Sequence, residues 1–386
     1  MSKRRYSRFE LPLLVLVAVI LLVTSCGQPA ATPAPTTPPE VPAATSAPAP
    51  TVAPVLTVVE ELASKAQSEA KVISSYGMPD AWANYGAIFG EFQNRYGNVP
   101  QDIDMGGPEA LTRMTEENAS KNDLADVRVG FAMQLADLGL TSDYKVSCWD
   151  IWPEGQKGVG KDGSIWMTTY RGTIGWIVNT TLVEKVPYSW AELNSPAYKG
   201  MISYLDPTVA ATGMSIVESA SYAMSGDPYN YTAGVDYLAK LHKAGLVGIV
   251  DSRTDISKFQ RGEIGILINW DYNLMNWQQT LGVPSEVVIP ADGSISSGYS
   301  VVIAKNAPEP YTARLFMEYL LCGDGQKLYA EGFVTPMNPN VKLSAETVAK
   351  FPPLEQYAKV VTIDYKKEGD VSDALKAAWA KAVGAQ

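Results

Sequence analysis

Strand-like and helix-like patterns alternate along residues 58–138, stop, and resume along residues 201–281; this interrupted alternation is what most limits the folds open to the chain. In the first run a helix is expected over 58–70, a strand over 71–74 and an amphipathic helix over 80–96, where Trp82, Tyr85, Ile88, Phe89 and Phe92 recur at helical spacing. A strand over 102–105, a helix over 108–119, a strand over 126–129 and a helix over 132–138 continue it. The second run reads as a strand over 201–205, helices over 213–224 and 231–244, a strand over 264–268 and a helix over 272–281. Such alternation argues for an α/β architecture with parallel neighbouring strands.

Two strand-rich stretches break the rhythm. Residues 164–179 hold two runs around an expected turn at Arg171-Gly172-Thr173, and residues 298–305 hold a third. Read as hinges, they divide the globule into a first domain over 56–175, an inserted second domain over 176–298, and a return to the first domain with C-terminal helices over 299–386. Two domains joined by two crossing strands leave a cleft, the usual place for a small ligand, which hinge closure can then enclose.

The first 25 residues carry Lys3, Arg4, Arg5 and Arg8, an apolar run from Leu11 to Val23, and small residues up to Cys26. The order of basic, apolar and small regions is that of a secretory signal, and the apolar run is shorter than a bilayer span. Leu22-Val23-Thr24-Ser25-Cys26-Gly27 resembles a bacterial lipobox, which implies diacylglyceryl transfer to the Cys26 thiol and a lipid-membrane anchor on the outer face of the cytoplasmic membrane or in the periplasm. Residues 26–55 then form a disordered stalk of Pro, Ala and Thr. Glu40 is the only charge between Gln28 and Val55, and at ~3.1 Å per residue of polyproline II the stalk reaches on the order of 80 Å. Without residues 1–25 the chain has 27 basic and 40 acidic side chains, a net charge of -13, which disfavours nucleic acid as a partner. A single histidine, His242, excludes His-rich metal sites, and three cysteines exclude a disulfide-dense scaffold. No cofactor is expected.

Several stretches, in order, are similar to the extracellular solute-binding proteins, family 1, of bacterial ABC importers. They are Ser75-Tyr76-Gly77, Gly175-Trp176-Ile177-Val178-Asn179-Thr180, Ser195-Pro196-Ala197-Tyr198-Lys199-Gly200, Asp206-Pro207 with Thr212-Gly213, Gly262-Glu263-Ile264-Gly265, and the run from Ala313 to Leu320 with Gly325-Gln326. The resemblance, closest to the branch with iron(III), thiamine, phosphonate and polyamine receptors, implies a type II periplasmic-binding fold: two mixed sheets flanked by helices, joined by two hinge strands. It implies a monomeric, non-enzymatic receptor that delivers a small polar solute to ABC transporter permease subunits. Alternatives are a receptor of the same fold for iron(III), thiamine, a sugar or a sugar phosphate, and, from other classes, a secreted hydrolase or a sensory receptor. The hydrolase lacks a nucleophile elbow or a partner for His242, and the ferric reading lacks an adjacent tyrosine pair.

The candidate ligand contacts lie where strands meet helices or cross the hinge. Ser75, Tyr76 and Gly77 form the first strand-to-helix turn, with Trp82 just beyond, and Thr212 and Gly213 open a helix in the second half. Trp270, Asp271 and Tyr272 follow a strand, and an indole beside a carboxylate is a seat for an ammonium group. Asp271 is equally suited to cap its helix. Tyr170 and Arg171 sit at one hinge, Ser297 and Tyr299 at the other, and Arg171 offers a fork to a carboxylate or phosphonate. Together these residues point to an amine-bearing solute such as a polyamine or aminoalkylphosphonate. Cys148 and Cys322 both fall in the first domain and are a possible disulfide. Gly158-Val159-Gly160-Lys161-Asp162-Gly163 has dinucleotide-type glycine spacing but enters a strand instead of a helix, and reads as a turn.

Overall fold

The computed structural model describes residues 56–383; the signal segment, Cys26 and the stalk lie outside them. Thirteen strands occur among these residues: β1 Val72–Tyr76, β2 Val99–Ile103, β3 Leu124–Arg128, β4 Lys157–Val159, β5 Ile165–Met167, β6 Tyr170–Asn179, β7 Ile202–Leu205, β8 Val247–Asp251, β9 Ile266–Trp270, β10 Ser285–Val288, β11 Ser294–Ile303, β12 Thr335–Pro336 and β13 Val360–Thr362. Their hydrogen-bonded path runs β2-β1-β3-β11-β6-β9-β7-β8, with β10 and β12 on β6 and β13 on β11; β4 and β5 form a separate hairpin.

The long strands β6 and β11 tie the halves together. The first four residues of β6 pair antiparallel with β11, and Ile174 to Asn179 pair with β9 and β10. At its other end β11 pairs with β3, whose neighbour β1 is parallel to it, as β7 is to β8 and β9. The expected turn at Arg171-Gly172-Thr173 is therefore corrected: all three residues lie in the ladder opposite Gly298, Ser297 and Ser296. Gly172 is there for packing, because a Cβ at that position would collide with the Tyr272 ring.

Helices cover the sheet faces and begin where local chemistry starts them. Thr57 and Glu60 form a reciprocal capping box on helix Val58–Ala66, and Asp364 accepts from the amides of Lys366 and Lys367 at the start of helix Tyr365–Ala382; such caps contribute about 1 kcal/mol each. The C-terminal helix touches elements from both runs of the chain. The C-terminal helix carries Trp379, whose indole donates to Tyr204 of β7 at 3.1 Å, and Glu368, which reaches Arg128 of β3. Cys148 and Cys322 are joined in a disulfide, with Cα atoms 5.6 Å apart. The expected glycine turn is a short helical turn, Lys161–Gly163, between the strands of the β4–β5 hairpin.

Candidate functional site

β3 reads Leu-Ala-Asp-Val-Arg, and all five residues are buried. Successive strand residues face opposite ways, so Asp126 and Arg128 share one face, which looks onto the crossing strands. Each charge therefore needs partners from other elements.

Around Asp126 stands a group of aromatic rings. Trp82 meets Tyr272 at 5.5 Å and Tyr299 at 5.6 Å between centroids, both edge-on, while Tyr170 stacks on Tyr299 at 5.3 Å. Trp270 stacks with Tyr272 and meets Tyr299 edge-on. Tyr85 and Tyr329 close the far side against Tyr170. A hydrogen-bond relay runs through the cluster: the Trp82 indole donates to the Tyr170 hydroxyl at 2.7 Å, and that hydroxyl donates to Asp126 Oδ2 at 2.6 Å. Asp126 Oδ1 is buried and has no hydrogen-bond partner among the described residues, and neither has the Tyr272 hydroxyl. Burial pushes the Asp126 carboxyl up to about 7, against the polar hydrogens of Tyr170, Tyr85 and Trp82 that face it.

Arg128 lies at the start of helix Ala211–Ser225. Its Nη1 donates to the Ala211 carbonyl at 3.0 Å, and its Nη2 donates to Ser297 Oγ at 3.3 Å, to Glu218 at 3.4 Å and to Glu368 at close range. Glu218 belongs to that helix and Glu368 to the C-terminal one, so one guanidinium holds together a strand and two helices. Burial pushes the Glu218 carboxyl up to about 7, with Arg128 opposing.

Of the residues singled out in the sequence, Trp82, Tyr170, Trp270, Tyr272 and Tyr299 meet in the aromatic cluster. Thr212 joins them by accepting from the Trp270 indole at 3.0 Å, and Ser297 sits against Arg128. Others have different partners. Ser75 and Tyr76 end β1 instead of forming a turn; Ser75 donates to Asp102, and Tyr76 packs in a separate apolar cluster with Met105 and Met114 while its hydroxyl donates to Glu117. The amides of Gly77 and Gly213, expected to face a ligand, donate to the carbonyls of Ile103 and Ala210 at 3.1 and 3.0 Å. Gly77 adopts φ +74°, and a Cβ there would come within 3.0 Å of the Asp126 carbonyl, so this glycine permits the approach of β1's end to β3.

Asp271 is buried with both oxygens in use. Oδ1 accepts from the amides of Thr173 and Tyr272, each at 2.9 Å, and Oδ2 from the Tyr357 hydroxyl at 3.2 Å. Burial pushes this carboxyl, too, up to about 7, and the amide bonds pull it back. The guanidinium of Arg171 donates to Thr362 of β13. His242 bonds Tyr204 at 2.8 Å, and burial lowers its pKa. Asp126, Arg128, Glu218, Glu368, Tyr85 and Tyr329 join this arrangement without being among the residues singled out in the sequence. For the first two the signal was available: two charges at strand spacing inside an otherwise apolar strand.

The sequence pattern of bacterial extracellular solute-binding proteins matches residues 87–355. A spermidine/putrescine-binding periplasmic protein of Escherichia coli is 29% identical over 187 residues, 48% of this chain and 52% of that protein, so this match spans about half of the relative's length. A Salmonella paratyphi A periplasmic protein named for 2-aminoethylphosphonate binding is 23% identical over 280 residues, 69% of this chain and 78% of its own. Among solved structures, the periplasmic binding protein AfuA from Actinobacillus pleuropneumoniae, with fructose-6-phosphate bound, shares the fold with a TM-score of 0.68 at 20% identity, over 82% of this chain and 100% of that one. With a family match over more than half its length, on an α/β fold of the type II periplasmic-binding class, this chain belongs to the bacterial extracellular solute-binding proteins, which are transport receptors and not enzymes.

Proposed function

We propose that the protein is a membrane-tethered receptor of an ABC importer that closes on a small solute carrying an ammonium group, with Asp126 as the ammonium seat. One observation carries this reading: a buried carboxylate oxygen without a partner, under the edges and faces of Trp82, Tyr170, Tyr272 and Tyr299. An ammonium group offers that oxygen a charge-assisted hydrogen bond, and the electron-rich ring faces attract its remaining positive charge. The seat moves from Asp271 to Asp126 because the Asp271 oxygens already accept from two amides and a hydroxyl.

The charge count supports a cation. Glu218 and Glu368 share a single guanidinium, and Asp126 on the same strand face has no ion pair among the described residues, so ionised the three leave an excess of negative charge in a water-poor space. The two relatives' names point the same way, since spermidine, putrescine and 2-aminoethylphosphonate all bear amines. In this reading the halves built on 56–175 and 176–298 swing about β6 and β11, the rings part to admit the solute, and the closed form is presented to permease subunits. The receptor acts as a monomer, held by acylated Cys26 through the stalk, at the outer face of the cytoplasmic membrane.

Calorimetry of the compact unit Val55–Gln386 with putrescine, spermidine and 2-aminoethylphosphonate tests the seat. At least one amine should bind, and Asp126→Asn should abolish or strongly weaken that binding; equal affinity in the variant would rule the seat out. Mass spectrometry of the protein from a bacterial membrane fraction tests the anchor: Cys26 should be the acylated N-terminus, and an unmodified Cys26 would contradict the tether.

A further inference from the structure

Arg128 stands one strand repeat along from the ammonium seat, on the same face of β3 and at the first turn of helix Ala211–Ser225. A buried guanidinium at a helix N-terminus is what an oxyanion of a zwitterionic ligand would use. Here that position is already filled. Glu368 makes the tightest contact to Arg128, Glu218 a longer one at 3.4 Å, and all three side chains are at most 5% exposed. Glu368 comes from helix Tyr365–Ala382, which lies beyond residue 355, where the family pattern ends.

The helix is held in place independently of that ion pair. The Asp364 amide donates to the Tyr229 hydroxyl at 2.6 Å, Trp379 bonds Tyr204, and β13 just before the helix pairs with β11. A small cavity is lined by Arg128, Phe131, Met214, Glu368 and Ser372, so both members of the pair border open space.

We propose that Glu368 is a tethered counter-anion: it fills the oxyanion side of the cleft at Arg128 and so makes the receptor select cationic amines over zwitterionic aminophosphonates or amino acids. This rests on the reading of Asp126 as the ammonium seat. A phosphonate approaching Arg128 must displace a carboxylate that its own chain supplies at high effective concentration and meets the repulsion of Glu218 besides. An amine with no acidic group meets neither obstacle. Glu368 acts on the ligand through Arg128, which makes it a specificity-determining, positioning residue.

The experiment compares wild type, Glu368→Gln, Glu368→Ala and, as a charge-matched control, Asp370→Asn, an exposed carboxylate two residues along the same helix. Circular dichroism first verifies that each is folded. Calorimetry with putrescine, 2-aminoethylphosphonate and ethylphosphonate then reads both sides of the cleft. Wild type and Asp370→Asn should bind putrescine and reject both phosphonates. Glu368→Gln and Glu368→Ala should bind 2-aminoethylphosphonate at least ten-fold more tightly than wild type and bind ethylphosphonate measurably. Folded Glu368 variants that gain no phosphonate affinity would overturn the proposal, as would a wild type that binds 2-aminoethylphosphonate as tightly as putrescine. Ethylphosphonate has no amine, so it judges Glu368 even if no amine binds and the Asp126 reading fails.

Discussion

Asp126, in the middle of β3, and Asp271, just after β9, are both buried aspartates beside the aromatic cluster, and they differ in how their oxygens are bonded. Asp271 accepts from Thr173 and Tyr272 amides and from Tyr357, so it joins the start of helix Asp271–Thr280 to the crossing strand β6 and to the C-terminal segment. Asp126 keeps one oxygen without a partner. The two substitutions should therefore separate stability from binding. Asp271→Ala leaves two buried amides unpaired and should destabilise the protein by about 2–3 kcal/mol or more, read as a lower melting temperature, with amine affinity changed by only a few-fold. Asp126→Asn should keep the melting temperature close to wild type and lose affinity. A stable Asp271→Ala protein that has lost the ligand would reverse the assignment. The sequence made Asp271 conspicuous because it follows an indole and opens a helix. It hid Asp126 inside a short strand, where only the improbability of a charge in an apolar run marks it.

At the scale of elements, the alternation of strands and helices was legible because amphipathic periodicity survives in single segments such as Tyr85–Tyr96. What failed depended on contacts from distant parts of the chain. Arg171-Gly172-Thr173 looked like a turn because glycine usually punctuates, yet Gly172 sits mid-strand so that the Tyr272 ring can lie against the backbone of β6. Gly172→Ala should consequently overpack that contact and destabilise by about 1–3 kcal/mol, seen as a lower denaturation midpoint; an unchanged midpoint would argue against this account of the long strand. β10 is a short run of mixed polarity whose identity as a strand comes from its neighbour β6, whereas β8, Val-Gly-Ile-Val-Asp, carries an apolar, β-branched strand signal that the glycine interrupts. The disulfide between Cys148 and Cys322 ties the loop before Trp149 to the end of the helical segment that follows Met317. Its existence could be suggested from two cysteines in one half, but its pairing required the 5.6 Å Cα separation. A thiol count on unfolded, unreduced Val55–Gln386 should find no free thiols; two would contradict the bond.

Across the whole molecule, three carboxyls, Asp126, Glu218 and Asp271, are raised by burial to about 7 from ordinary values near 4. Each therefore binds its proton more tightly in the folded than in the unfolded state. Between about pH 4 and 7 the native state holds more protons, so stability from these groups is fully present below the unfolded values and declines as pH rises through 7. The ligand-free protein should melt at a lower temperature at pH 8 than at pH 6. An amine prefers the ionised Asp126, so its binding should strengthen over the same interval and release protons below pH 7, measurable as a buffer-dependent heat. A melting temperature that climbs steadily from pH 6 to 8, with amine affinity falling, would contradict both assignments.

The central claim is that Asp126 holds the solute's ammonium group, and the most direct test is a calorimetric titration of an amine that binds, putrescine first, into wild type and Asp126→Asn. Removing one member of a buried charge pair costs about 2 kcal/mol or more, roughly a thirty-fold rise in Kd. The account predicts that loss with an unchanged melting temperature. Binding of equal strength to both proteins would contradict it.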